Sequence, residues 1–496
     1  MFIKELDCEV FKNINCKNLP SLRRNIVYQF LYELLIVFIP LFTIPYVSRV
    51  LGAENIGLFS YTYAVANYFV LFANLGIKNY GSRTIAMVRN NKEELNRNFS
   101  EILSIHIIFS IIVIFVYLVL LFFFVEDNLV IFLIQSIYVF AAVFDINWFF
   151  FGIEKFKLTV GRNTLVKILS VFLVLVFVKT QTDLWIYALI LALSVFVGQS
   201  VVWFALKQYV SWRRPSWANM KQHIRPLFVL FLPILALSLY KYMDKIMLGS
   251  ISSNVQVGFY ENAEKIINVP MSLIMAFGVV LMPRIANMVT SKDKGEVFKL
   301  IDMSMEAVML LAIAISFGLA GNSFVLAPIF FGYEFEECGI LIMGLAVTVP
   351  FMAFANVIRT QYLIPYKEDK IFVVSLFLGA AVNLIVNIIL IPYMAARGAV
   401  IGTIFAEIIV CIYQSYFVRK KIFIKKYLLN TIPPILIGIV MFVFVFQIGN
   451  VMNINIVTLI LQLLVGMFIY AVGVFLLMLK SRTRLMVLLR KFVVRY

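Results

Sequence analysis

Two short runs hold the residues best suited to chemistry: Lys241, Asp244 and Lys245, then Glu261, Glu264 and Lys265. Offsets of three and four put each run on one face of a helix. Both runs interrupt apolar sequence, where each charge costs about 2.5–3.5 kcal/mol on membrane-insertion scales and commonly marks a functional site. Three ammonium groups and three carboxylates can act in two ways. They can neutralise one another and hold two helices in register, or the cations can pair with an anionic solute while a carboxylate supports or couples the movement. Long lysine stems also allow reach into a cavity. Arg49, at the outer end of the first apolar stretch, and Glu407, near the middle of a later one, extend this set, with Glu33, Asp145, Asn74, Asn147, Asn356, Asn383 and Asn387 as further polar positions. His106 and His223 are the only histidines, and neither has an acid or nucleophile close by in the sequence, so both are read as structural. Cys8, Cys16, Cys338 and Cys411 lack metal-ligand spacing. No metal, cofactor or disulfide framework is expected.

Placing these side chains requires membrane helices. A helix rises about 1.5 Å per residue, so roughly 20 apolar residues cross about 30 Å of hydrocarbon. Fourteen stretches qualify: 26–47, 57–77, 103–124, 129–151, 164–178, 184–206, 227–249, 257–281, 300–320, 339–357, 371–391, 398–418, 428–448 and 456–479. The predicted fold is an all-α polytopic membrane protein, because a helix satisfies its own backbone in lipid and an open sheet edge does not. The charged runs then fall in the outer half of the seventh and eighth spans.

The basic residues test this count, since Lys and Arg are retained on the cytoplasmic side of short loops. With the N-terminus inside, 37 of the 43 Lys and Arg residues lie on inner segments. Only Arg49, Lys179 and Arg397 lie outside, and Lys241, Lys245 and Lys265 fall within spans. One span more or fewer would invert every later loop, so an even number with both termini cytoplasmic is predicted. The net charge of +17 is thereby a topology signal with attraction to anionic lipid, and no nucleic-acid partner is implied. The longest outer connection is expected from Gly321 to Cys338, and inner loops seldom exceed about twenty residues, the size of connections rather than domains. No soluble catalytic domain is present, which argues against an enzyme. No cleavable signal peptide is visible before Leu22, so the first span is expected to direct membrane insertion.

The ends of the first and seventh spans echo one another. Arg49-Val50-Leu51-Gly52 precedes Gly57-Leu58-Phe59-Ser60-Tyr61, and Lys245-Ile246-Met247-Leu248-Gly249 precedes Gly258-Phe259-Tyr260. Six spans separate the copies, so both run in one direction, the pattern of a parallel repeat with a site between its halves. The expected division is a cytoplasmic segment 1–25, a lobe 26–206, a basic inter-lobe loop 207–226, a second lobe 227–418, two added helices 419–479 and a basic tail 480–496.

At these residues the chain resembles bacterial polysaccharide transporters, the flippases for lipid-linked O-antigen or capsule repeat units. The resemblance is carried by Ile44 to Gly52 with Gly57 and Tyr61, Leu75-Gly76-Ile77, Tyr80 to Arg83, Trp148-Phe149 and Gly152-Ile153-Glu154. It continues through Asp244-Lys245, Leu248-Gly249, Gly258 to Tyr260, Phe331-Gly332, Asn383 with Asn387, and Gly398 to Gly402 with Glu407. It implies the superfamily of lipid II flippases and multidrug extrusion carriers: two pseudo-symmetric six-helix lobes about a central cavity, here with two C-terminal helices added. The implied substrate is an undecaprenyl-pyrophosphate oligosaccharide, carried to the outer leaflet of the bacterial cytoplasmic membrane for O-antigen, capsule or exopolysaccharide synthesis. A polysaccharide polymerase and glycosyltransferases of the same pathway are the implied partners.

Within that picture Arg49, Lys241, Lys245 and Lys265 are candidates for the pyrophosphate and sugar path, and Asp244, Glu261, Glu264 and Glu407 for supporting or coupling carboxylates. Tyr61, Tyr63, Tyr68, Tyr240, Tyr242 and Tyr260 could offer faces to sugar rings or pack between helices. Two other readings remain: a cation-coupled drug exporter of the same fold, which would favour a compact acidic site, and a membrane-embedded polymerase, which would favour a large outer loop rich in Arg, Asp or His.

Overall fold

The computed structural model describes residues 19–290 and 294–480, and the regular elements among these are helices. The chain is an all-α polytopic membrane protein. The first helix, α1 (Leu19–Asn74), is 56 residues long, about 84 Å at the usual rise and far more than a bilayer needs. Gly52 breaks it, with φ 76° and ψ 172°, a conformation that residues with a Cβ rarely adopt. The two sides of Gly52 are therefore separate spans. A second left-handed glycine, Gly76 at φ 76°, turns the chain into the short α2 (Ile77–Val88). Its small amphipathic face is set by buried Ile77, Gly81, Thr84 and Ile85.

Then come α3 (Lys92–Phe124), α4 (Leu129–Val143), α5 (Asn147–Gly152), α6 (Phe156–Phe177) and α7 (Leu184–Leu206). Asn91 caps α3 by accepting from the backbone N–H of Glu93 and Glu94, and those acids complement the positive helix start. The second half contains α8 (Trp217–Ile251), α9 (Asn254–Thr290), α10 (Lys294–Phe331), α11 (Cys338–Ala346), α12 (Thr348–Ile358), α13 (Asp369–Met394) and α14 (Ala396–Val418), with α15 (Ile424–Val451) and α16 (Ile456–Lys480) last. Thirteen stretches among the described residues are long and apolar enough to cross a membrane. Taking the stretch that runs through Gly52 as two gives the expected fourteen.

Small residues let the helices approach closely, as expected where lipid removes the hydrophobic drive for helix pairing. Gly438 on α15 lies against the Phe317 ring of α10, and Gly321 on α10 against Val445 of α15. Polar contacts add to that seam. Lys426 Nζ pairs with Asp302 at 2.7 Å, the Tyr427 hydroxyl donates to Asp302 at 2.6 Å, and the Tyr470 hydroxyl donates to the Leu310 carbonyl at 2.7 Å. The last two helices thus dock on α10.

Three local expectations are revised. The connection expected over 207–226 is shorter, because α8 already begins at Trp217. Residues before it are held on α3: Ser211 N donates to Asn96 Oδ1 and Arg213 N to Ser100 Oγ, each at 3.0 Å. The outer connection expected from Gly321 to Cys338 is largely helical, since α10 continues to Phe331 and a 3-10 turn spans Tyr333–Phe335. Finally, His223 does have an acid partner. Its Nε2 meets Glu101 at 2.9 Å and its Nδ1 meets the Tyr80 hydroxyl at 2.6 Å, with His223 and Glu101 both buried. That partner lies 122 positions away, out of reach of any local sequence pattern.

The seventh span joins both halves. Near its start Leu227 and Phe231 press on Gly76, and Phe231 also packs on Phe72 of α1. Near its end Asp244 and Lys245 bond to α9 and α13. Pro233 lies between these regions and Pro226 just before the first, and at each the missing N–H permits a bend.

Candidate functional site

A cavity of about 610 Å³ opens between α1, α4, α6, α7 and α9. Its cations are Arg162 and Lys167 of α6 and Lys265 of α9. Asn163, Ser170 and Gln199 add uncharged hydrogen-bonding groups. Phe59, Tyr63, Tyr138 and Tyr187 add aromatic faces to the lining. Phe59 stacks on Tyr63 with centroids 5.6 Å apart, Tyr187 meets Phe59 edge-on at 4.9 Å, and Tyr138 meets Tyr63 edge-on at 5.1 Å. A cavity lined by both cations and aromatic faces suits a solute carrying both an anion and apolar ring faces.

The two charged runs meet at one end of this cavity. Lys245 Nζ lies 2.6 Å from Glu261 and 2.9 Å from Glu264, and Lys265 Nζ lies 3.0 Å from Glu261. Two ammonium groups and two carboxylates thus compensate one another and tie α8 to α9. Glu261 and Lys265 also line the cavity, whereas Lys245 is buried behind them. Both readings of the runs have a physical basis here: the cluster fastens two helices, and its cavity-facing edge offers Lys265.

Asp244 is separate from that cluster. Its carboxylate accepts from the Tyr260 hydroxyl at 2.6 Å, Asn387 Nδ2 at 2.6 Å and the Thr403 hydroxyl at 3.1 Å. Asn387 also donates to Asn383 Oδ1 at 3.2 Å. Asp244 is 5% exposed, and the four groups come from α9, α13 and α14. A carboxylate among hydroxyl and side-chain amide groups, with no thiol or imidazole beside it, suits a hard cation or a proton rather than a soft metal. No cluster of three or more His, Cys, Asp or Glu able to hold a metal occurs among the described residues.

The remaining candidates lie apart. Arg49 does not line the cavity. It sits in α1 just before the break at Gly52 and donates through Nη2 to the Ile329 carbonyl at 2.5 Å. Glu334 answers from the opposite side, its Oε1 accepting from Ala53 N at 2.9 Å. Lys241 is exposed, with Nζ 5.3 Å from the centre of the Tyr242 ring. Glu407 is half-buried on α14 and shares its electrostatic surroundings with Arg359. Arg359 opens a one-turn π-helix (Arg359–Leu363) and donates to Asn356 Oδ1 at 2.6 Å.

Arg162 and Lys167 are the residues that sequence reasoning placed elsewhere, among the cytoplasmic loop charges. A span expected to start at Thr164 leaves Arg162 outside it and Lys167 at its edge, yet α6 starts at Phe156 and carries both side chains along the cavity. A signal existed: Asn163, Lys167, Ser170 and Val174 recur at helical spacing and all four line the cavity. Positive charge near a helix end reads as a loop anchor unless the helix is known to extend past it.

Comparison with known proteins agrees with this architecture. Residues 22–289 match the family described as "Polysaccharide biosynthesis protein". The "Putative O-antigen transporter" of Escherichia coli K12 is 26% identical over 411 residues, covering 82% of this chain and 98% of that protein. Lipid II flippase MurJ of Bacillus subtilis is 28% identical over 224 residues, 41% of each chain. Among solved structures, a lipid II flippase MurJ in an inward closed conformation superposes with a TM-score of 0.70 at 16% identity, covering 90% of this chain and 97% of that one. An inward-facing multidrug resistance MATE transporter superposes with a TM-score of 0.59 at 14% identity, covering 79% and 97%. These two likenesses concern the fold.

Proposed function

We propose that this chain, which belongs to the polysaccharide biosynthesis protein family, is a flippase for undecaprenyl-pyrophosphate-linked oligosaccharide repeat units. The observation that carries the reading is the cavity whose cations are Arg162, Lys167 and Lys265, set among helices long enough to span a bilayer. Pyrophosphate and sugars lose several kcal/mol of hydrogen bonding to water per buried polar group, so they need a polar, cationic passage. The polyprenyl tail has no such need and remains in lipid. The aromatic lining suits sugar faces. Relatives bearing O-antigen transporter and lipid II flippase names support the same class of cargo.

Transport is by alternating access of two lobes, 26–206 and 227–418, in the bacterial cytoplasmic membrane with both termini cytoplasmic. Arg162, Lys167 and Lys265 bind the pyrophosphate, with Lys241 further along its path and Lys245 contributing its charge from behind Glu261, and Arg49 meets it at the outer mouth. Glu261 and Glu264 support the lysines. Asp244, surrounded by neutral donors, carries the coupling ion, and Glu407 balances Arg359. The repeat units come from glycosyltransferases and pass to a polysaccharide polymerase.

A cation-coupled drug exporter of the same fold is the second reading, favoured by the likeness to MATE transporters in fold and by the Asp244 site. Cavity cations disfavour it, because like charge repels a cationic drug. Reconstitution into vesicles decides between them. With undecaprenyl-pyrophosphate-linked sugar in one leaflet, transfer to the other should depend on the protein and fall when Arg162 and Lys167 are both replaced by alanine. Efflux of a cationic dye with no lipid-linked sugar transfer would establish the exporter instead.

A further inference from the structure

We propose that Asn147 is a positioning residue that aims Arg162 at the anionic headgroup; the proposal rests on the flippase reading above. Its basis is an amide with every group committed. Asn147 Nδ2 donates to Asp145 Oδ1 at 2.7 Å and to Gln199 Oε1 at 2.8 Å. A side-chain amide has two N–H donors and one carbonyl oxygen, so with both donors engaged the oxygen is the group left to face elsewhere. It faces Arg162, accepting from Nη2 at 3.1 Å. Flipping the amide would set its oxygen against a carboxylate and a second carbonyl, so the direction is dictated by Asp145 and Gln199.

A break in the fourth span creates this arrangement. The chain leaves α4 at Val143 and re-enters a helix at Asn147, and Asp145 in the gap turns back so that Oδ1 also accepts from Asn147 N at 3.0 Å. Gln199 comes from α7 and Arg162 from the first two turns of α6. Three elements therefore fix one guanidinium beside the cavity that it lines together with Gln199. Arg162 also bonds through Nε to Asn163 Oδ1 at 3.0 Å.

Orientation matters for this residue type. A guanidinium presents its donors in one rigid plane; Asn163 Oδ1 takes Nε and Nη2 and Asn147 also takes Nη2, and the direction they give that plane determines how the group meets a phosphate. An asparagine transmits the direction set by Asp145 without itself placing a carboxylate on the guanidinium. Aspartate at this position would bring a negative charge that competes with the substrate.

The test uses the full-length protein purified in detergent, with undecaprenyl pyrophosphate as ligand and undecaprenol as the control that lacks phosphate. N147L should weaken diphosphate binding about tenfold, the size of one hydrogen bond to a charged group, and leave undecaprenol binding unchanged. In the background of R162A the same change should have no further effect. N147D should also weaken diphosphate binding. Q199M leaves Asn147 in place but removes one of the two acceptors that orient it, and carries the same cycle with R162A should N147L fail to fold. Wild-type affinity in N147L or Q199M, or losses that multiply with that of R162A, would overturn the positioning role while leaving the flippase reading intact. If the wild-type protein binds the diphosphate no better than undecaprenol, the flippase reading itself falls, and the proposal with it.

Discussion

Gly57 and Gly258 face each other where α1, just past Gly52, meets the start of α9, so closely that neither position has room for a side chain. A Cβ on Gly57 would lie 1.6 Å from the Asn254 carbonyl oxygen, and one on Gly258 would lie 2.1 Å from that of Ala53. These are the matching glycines of the internal sequence echo. Around them Ser48 Oγ accepts from Asn262 Nδ2 at 2.9 Å with both residues buried, and Gly249 packs against the Tyr61 ring. This seam is closed, and backbone contact closes it. The two copies of the echo serve as opposing surfaces of one seam.

Gly57→Ala should prevent that closure. Overpacking of this kind costs about 1–3 kcal/mol even where neighbours can adjust, and here the obstacle is backbone. Transport should fall at least about tenfold, because a shift of 1.4 kcal/mol already changes a two-state equilibrium tenfold. A cysteine at Ser48 in a background lacking the native cysteines should also become reactive to maleimide. Normal transport with an unreactive Ser48 position would show that the seam tolerates a methyl group.

A disulfide between cysteines placed at Ser48 and Asn262 should hold the seam closed and stop transport until reduced. The two side chains already bond across the seam, which suits the pair to crosslinking. Lipid-linked substrate should alter the rate of bridging, since a ligand shifts a conformational equilibrium through differential affinity. Undiminished transport with the bridge intact would favour a static groove.

Lys245→Ala should destabilise the protein by about 3 kcal/mol or more, the usual cost of removing one partner from a buried ion cluster, because Glu261 and Glu264 would lose their shared cation. Adding E261Q and E264Q should restore most of the thermal stability. Lys265→Ala, whose side chain is 33% exposed, should cost less stability and reduce substrate affinity instead. Thermal midpoints beside binding curves separate these roles, and equal destabilisation by both alanine variants would contradict the division.

Asp244→Asn should leave the fold in place, since its partners Tyr260, Asn387 and Thr403 are neutral hydrogen-bonding groups that can serve an amide. Transport driven by an imposed sodium or proton gradient should lose its gradient dependence, while exchange without a gradient should persist. A variant that still responds fully to both gradients would remove Asp244 from coupling.

Asn254 and Tyr333 should be labelled from outside intact cells after substitution by cysteine, and Lys207 and Lys420 should not. The expectation follows from the distribution of basic residues. The Lys292 loop, also expected inside, lies outside the described residues. Labelling at Lys207 without disruption of the membrane would invert the topology.

Fourteen spans, their order and the likeness between the ends of the first and seventh were legible in the sequence, because a bilayer imposes one length and one polarity on any segment that crosses it. Asp244, Lys245, Glu261, Glu264 and Lys265 were likewise visible as charges amid apolar sequence. Their partnerships were not. Lys245 pairs with Glu261 and Glu264 across two helices, and Asp244 meets Asn387 143 positions away. Arg49 bonds to the Ile329 carbonyl rather than lining the cavity, and Arg162 lines the cavity rather than a loop. Hydropathy records how much each residue costs to bury and is silent about which neighbour offsets that cost. Distances between residues far apart in the chain depend on helix packing, and packing is decided by the whole set of side chains at once.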